Sequence, residues 1–201
     1  MQITQKIIDQ GLLSELAYLK LENYESFKHK KYATLNDLIN SGDMSEVGKF
    51  ISDNPKSTTG IDDSRDQDML ELLKSYTIDK FVTMPSGMQA MVLIKNDGSG
   101  ITAAFRGTQT GDWRELSKDG KSDGEMALGH EIQQMKDALS FFKNVEAEYD
   151  NIAPITITGH SLGGAKAQYV AYKSGTKYET YTYNGFGIKK GEVYGTQPKA
   201  A

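Results

Sequence analysis

The chain has 201 residues, 38% of them hydrophobic and 25% charged, with 20 glycines, 4 prolines and no cysteine. That is enough apolar material for one globular core. It excludes a disordered tail, a collagen-like repeat, a disulfide framework, thiolate metal sites and a cysteine nucleophile. A net charge of -4 exerts no global pull on nucleic acid, and the longest apolar run, Ala90 to Ile94, falls far short of the ~20 residues of a membrane-spanning helix.

The opening residues lack a basic-then-apolar signal pattern, which predicts a cytoplasmic protein or one exported without a cleaved signal. The first third reads as helical. Ile8, Leu12, Leu16 and Leu19 recur at helical spacing, and shorter helices are expected near 33–40, 44–53 and 66–76. The basic run Lys28-His29-Lys30-Lys31 reads as a solvated face. From about residue 79 the texture changes. Met88 to Ile94 reads as a buried strand, 96–100 as a turn and Ile101 to Phe105 as the returning strand. A loop follows at 117–124. Leu128, Ile132, Met135, Leu139 and Phe142 then mark a long amphipathic helix. Ile155 to Thr158 is a short β-branched strand, 162–174 a helix and Tyr178 to Tyr183 a further strand. Strands and helices alternating in this way predict an α/β fold with a mostly parallel sheet. The expected organisation is a single domain, with a helical region at 1–76 and an α/β core at 77–201.

The most informative stretch is Thr158-Gly159-His160-Ser161-Leu162-Gly163-Gly164. It places Gly-x-Ser-x-Gly between a strand and a helix. At such an elbow the serine is strained, with its hydroxyl raised above the sheet. The glycines let strand and helix approach, because a Cβ there would clash. The amide of Leu162, at the helix N-terminus, then points where an oxyanion would develop. A phosphate-binding loop would need Gly-Lys-Ser/Thr at its end, and Gly164 is followed by Ala165. Upstream, Phe105-Arg106-Gly107-Thr108 ends an earlier strand, where an α/β-hydrolase takes its second oxyanion donor.

These residues resemble the class 3, fungal-type lipases and their bacterial relatives. The resemblance rests on Ala104-Phe105-Arg106-Gly107-Thr108 and Gly159 to Gly164. Weaker matches are Gly111-Asp112-Trp113-Arg114-Glu115 and Tyr183-Asn184-Gly185-Phe186-Gly187. It covers about 79–190. It implies an α/β-hydrolase fold, hydrolysis of lipid or other acyl esters, and no metal or organic cofactor. By the same resemblance Ser161 is the nucleophile, and Thr108 and Leu162 form the oxyanion hole. Trp113 is either part of a lid over 109–124 or a plain core aromatic, and Phe186 lines the acyl pocket.

A serine needs a base and an orienting carboxylate, and in this fold they follow it in the chain. After Ser161 there is no histidine and no aspartate, only Glu179 and Glu192. Glu179 would open a strand away from the site. His160 would point away from its neighbour, His130 would face solvent, and His29 lies in the basic run. The simplest expectation is the N-terminal part of a longer lipase. The alternatives are a pseudoenzyme or split-enzyme half acting as a binding module. In each case an exposed sheet edge near the C-terminus would favour self-association.

Overall fold

The computed structural model describes residues 2–18, 72, 74–107 and 123–185, with the side chains of 2–4 and 123–132 left out. The helices expected near 33–40 and 44–53 lie outside these residues, as does most of the one at 66–76, of which 72 and 74–76 are described. The elements in order are α1 (Gln2–Leu16), β1 (Tyr76–Thr83), β2 (Gln89–Lys95), β3 (Ile101–Phe105), α2 (Asp123–Tyr149), β4 (Ile155–His160), α3 (Leu162–Lys173) and β5 (Glu179–Tyr183). The strands form one sheet in the order β1-β2-β3-β4-β5. It is antiparallel across β1, β2 and β3, and parallel across β3, β4 and β5. β1 and β5 are the edges of the described sheet.

The β2–β3 hairpin turns at the expected residues. Gly98 adopts φ 73, Lys95 N–H donates to Gly100 O at 2.9 Å, and Asp97 accepts from Ser99 N–H at 2.8 Å. β1 begins at Tyr76, inside the stretch expected to be helical. Its burial does not alternate cleanly, and a bulge at Asp79 breaks its register with β2. The periodicity that would announce a strand is therefore absent.

Side chains alternate across the sheet and build two cores. Ala90, Val92, Ala103, Phe105, Ile155 and Ile157 face α2 and α3, where Ala138, Phe142, Val145 and Val170 meet them. Met91, Leu93 and Ala104 face the other way, onto Leu12, Leu13 and Leu16 of α1. The sheet is thus sandwiched between helices, as expected for an α/β chain.

Two helical stripes differ in detail from their sequence expectation. In α2 the buried positions are Gln134, Ala138, Phe141, Phe142, Val145 and Tyr149, while Met135 and Leu139 sit half-buried at the border. The seam thus runs through Ala138, Phe141, Phe142, Val145 and Tyr149 rather than through Met135 and Leu139. In α1, Ile8 is 38% exposed, while Lys6 and Ile7 O bond to Glu179 and Tyr183 of β5. At Gly11 a Cβ would lie 3.2 Å from the Tyr183 ring. Among the described residues no helix is long and apolar enough to cross a membrane.

Candidate active site

The parallel register puts the C-terminal ends of three strands level. Phe105 pairs with Gly159, and His160 with Tyr183. This is the edge of an α/β sheet where ligands bind. β4 runs into α3 through one residue, Ser161, whose backbone stands at φ 57, ψ -126. Non-glycine residues enter such conformations at a cost of about 1–3 kcal/mol, and only where the surroundings hold them.

Here glycine contacts hold it. A Cβ on Gly159 would lie 2.2 Å from Gly163 O, and one on Gly163 would lie 2.1 Å from Phe105 O. One on Gly164 would lie 2.9 Å from Gly185 Cα. α3 therefore packs on the strand ends backbone to backbone. Ser161 N–H donates to Tyr183 O at 2.9 Å, and Ser161 O accepts from Ala165 N–H at 3.3 Å. The Ser161 side chain is half-buried and makes no capping bond to α3, although serine often caps a helix. Leu162 is the first helical residue, so its N–H has no acceptor within the helix, and the positive end of the helix dipole lies beside it.

The end of β3 is locked to this elbow. A Cβ on Gly107 would meet His160 O at 2.8 Å and the Leu162 nitrogen at 3.3 Å. Lys166, 1% exposed on α3, donates from Nζ to Arg106 O at 2.8 Å. Arg106 is itself buried, with its N–H bonded to Gln89 O at 3.0 Å and its guanidinium on the Gln89 side chain. The structure thus brings Ser161 and Leu162 together with Gly107. Thr108, Trp113, Phe186 and His29 lie outside the described residues, as does the His130 side chain.

His160 turns to the α1 face of the sheet. Tyr18 Oη lies 3.2 Å from its Nδ1 and donates to its carbonyl at 3.3 Å. His160 Nε2 is buried with no hydrogen-bond partner among the described residues. Burial lowers the imidazole pKa from its ordinary 6.5, and the charge of Glu15 opposes this in part. The unfolded chain therefore takes up a proton at this residue before the folded chain does, so stability is full above about pH 6.5 and declines as pH falls through that value. A urea-midpoint series from about pH 8 to pH 5 should show this decline, and His160→Gln should remove the part due to this residue. Parallel midpoint curves for the two proteins would contradict it.

Glu179 opens β5 at its far end, where it pairs with Lys6 of α1. Sequence reasoning missed two residues of the site's frame. Lys166 had a signal, a lone cation between the small buried residues Ala165 and Ala167. Tyr18 had none, because its partner His160 is 142 positions away.

A mixed sheet whose parallel half, β3 to β5, is sandwiched by helices and carries a strained serine at a strand-to-helix elbow defines an α/β-hydrolase-type fold. Residues 31–200 match the model of the Tle-like phospholipase domain. The chain belongs to this phospholipase-like family. Its fold is similar to that of the triacylglyceride lipase of Rhizomucor miehei, at 15% identity and TM-score 0.51, covering 90% of this chain and 61% of that one. Lipase II from Rhizopus niveus is similar at 16% identity and TM-score 0.51, covering 90% and 62%. The Rhizomucor miehei lipase–propeptide complex matches at 16% identity and TM-score 0.48, covering 90% and 52%. The chain thus spans between about half and three-fifths of the length of these lipases. No curated protein sequence matches it.

Proposed function

We propose that this chain carries the serine nucleophile of a lipid ester hydrolase, with phospholipid acyl esters as the substrate class. The observation that carries this reading is Ser161 at φ 57, held by glycines at the level strand ends with its hydroxyl unused as a cap. Ser161 Oγ attacks the acyl carbonyl carbon. The negative charge on the carbonyl oxygen is held by Leu162 N–H and Thr108. The serine proton passes through a general base to the leaving alcohol, and water then releases the fatty acid from the acyl-enzyme. His160 takes no part in that transfer, because its ring is engaged by Tyr18 on the α1 face. On the lipase resemblance Trp113 is assigned to a lid over the substrate and Phe186 to the acyl pocket. The phospholipid class follows from the family's description; the elbow by itself specifies an acyl ester and not its headgroup.

The direct test, made with the segment or partner that supplies the general base present, is labelling by an alkyl fluorophosphonate, which phosphonylates an activated serine, followed by mass mapping of the adduct. The expected adduct is on the peptide containing Ser161. Absence of any adduct, or its appearance on another residue, would overturn the assignment.

A further inference from the structure

The elbow and the end of β3 meet at the hydroxyl of a residue from the other end of the chain. Tyr18 lies just past α1, and its Oη is 3.3 Å from His160 O and 3.2 Å from His160 Nδ1. The same oxygen occupies the space a side chain on Gly107 would need, since a Cβ there would lie 2.3 Å from it. Burial pushes the phenol up to about 12, with the Gly107 N–H bonded to the phenol oxygen offsetting part of the rise. Arg106 covers the ring, its guanidinium carbon 5.7 Å from the centroid. One oxygen therefore joins two strand exits, Gly107 after β3 and His160 at the end of β4. These flank the Leu162 amide, 3.3 Å from the Gly107 Cβ position.

We propose that Tyr18 is a positioning residue for the oxyanion site. Its hydroxyl sets the spacing between the β3 exit and the Leu162 N–H, so the docking of α1 tunes the reactivity of Ser161. The inference rests on the assignment of Ser161 as nucleophile. Its physical basis is the steep dependence of transition-state stabilisation on donor placement, since an error near 1 Å costs roughly 10²-fold. Among the described residues the Tyr18 hydroxyl touches both exits while leaving the serine itself untouched. A phenylalanine would keep the ring against Arg106 and lose only the bridge.

The experiment compares Tyr18→Phe with wild type in two measurements. The first is fluorophosphonate labelling resolved into a maximal rate and a half-saturating concentration. The expected result is a maximal rate lower by roughly 10-fold or more, with half-saturation unchanged, since the bridge acts on the developing charge and not on ground-state binding. The second is amide exchange at Gly107 and Leu162, expected to speed up in Tyr18→Phe while exchange within α2 stays the same. Tyr149→Phe, which removes a phenol bonded to Asp79 at the end of α2, should leave both measurements at wild-type values. Wild-type labelling at Ser161 with an unchanged rate in Tyr18→Phe overturns this inference and leaves the nucleophile assignment standing. Equal exchange in the two proteins overturns it as well. A wild type that takes no label at Ser161 overturns the nucleophile assignment, and the positioning role with it.

Discussion

Replacing Gly163 with alanine is expected to unfold the elbow. The new methyl would sit 2.1 Å from Phe105 O and 2.9 Å from the carbonyl carbons of Phe105 and Arg106. All three are main-chain atoms of β3 and its exit, and they are tied down. Phe105 pairs with Gly159, Arg106 N–H donates to Gln89 O at 3.0 Å, and Arg106 O accepts from Lys166. The clash cannot be relieved by a rotamer change, so α3 must lift off the sheet and expose Ala167 and Val170 of the main core. Overpacking costs about 1–3 kcal/mol where neighbours can give, and a backbone collision exceeds that range. In a chain of this size each kcal/mol lowers Tm by roughly 2–4 °C, so a fall of about 10 °C or complete loss of soluble protein is expected. Gly98→Ala is the control for glycine loss in general, because nothing lies within 4 Å of its Cβ position and the cost there is only the strain of φ 73. A thermal melt of Gly163→Ala within 2 °C of wild type would show that the packing at the elbow is not as described.

The second large effect is expected at Ser161, and it has two signs. With the general base supplied, removing the hydroxyl in Ser161→Ala should lower hydrolysis of a short-chain phospholipid by at least ~10³-fold, because no other group replaces a lost nucleophile; without a base the wild-type rate is itself very low. Ser161→Gly should lose activity equally yet gain stability. The serine holds a backbone conformation costing about 1–3 kcal/mol, and glycine enters it freely. Set against the ~0.5–1 kcal/mol entropy cost of glycine, the net gain is about 1 kcal/mol, read as a Tm rise of roughly 2–4 °C. Equal hydrolysis by Ser161→Ala and wild type would remove the nucleophile assignment. A lower Tm for Ser161→Gly would remove the claim of strain.

Much of the core is legible in the sequence for local reasons. β3 and β4 are runs of β-branched or small apolar residues bounded by Gly and Pro punctuation, and their ends fall within two residues of expectation. The elbow is legible because its backbone demands glycine at fixed offsets from the serine. What escapes local reading depends on packing at long range. β1 is hidden by its bulge at Asp79. The half-buried state of Met135 follows from the seam that α2 presents to the sheet, which runs through Ala138 and Phe142. The Tyr18–His160 contact cannot be read from any window, because each residue is unremarkable in its own neighbourhood. His160 looks idle beside a serine, and only α1 lying across the sheet shows what it touches.

The placement of α1 also sets an order of events during synthesis. The first helix described is anchored to the last strand described, with Lys6 paired to Glu179 and Ile7 O bonded to Tyr183, 173 and 176 positions apart. At ribosomal speeds, on the order of 10–30 s separate the emergence of the two ends. For about the first half of that interval Leu12, Leu13 and Leu16 have no sheet to cover, since Met91, Leu93 and Ala104 are made later. The nascent chain thus carries an apolar helix in waiting, a site for chaperone capture or for association between neighbouring nascent chains. The reactive elbow is completed only when β5 arrives to accept Ser161 N–H at Tyr183 O. A protein made in this order holds its serine unformed until almost all of its described sheet has left the ribosome.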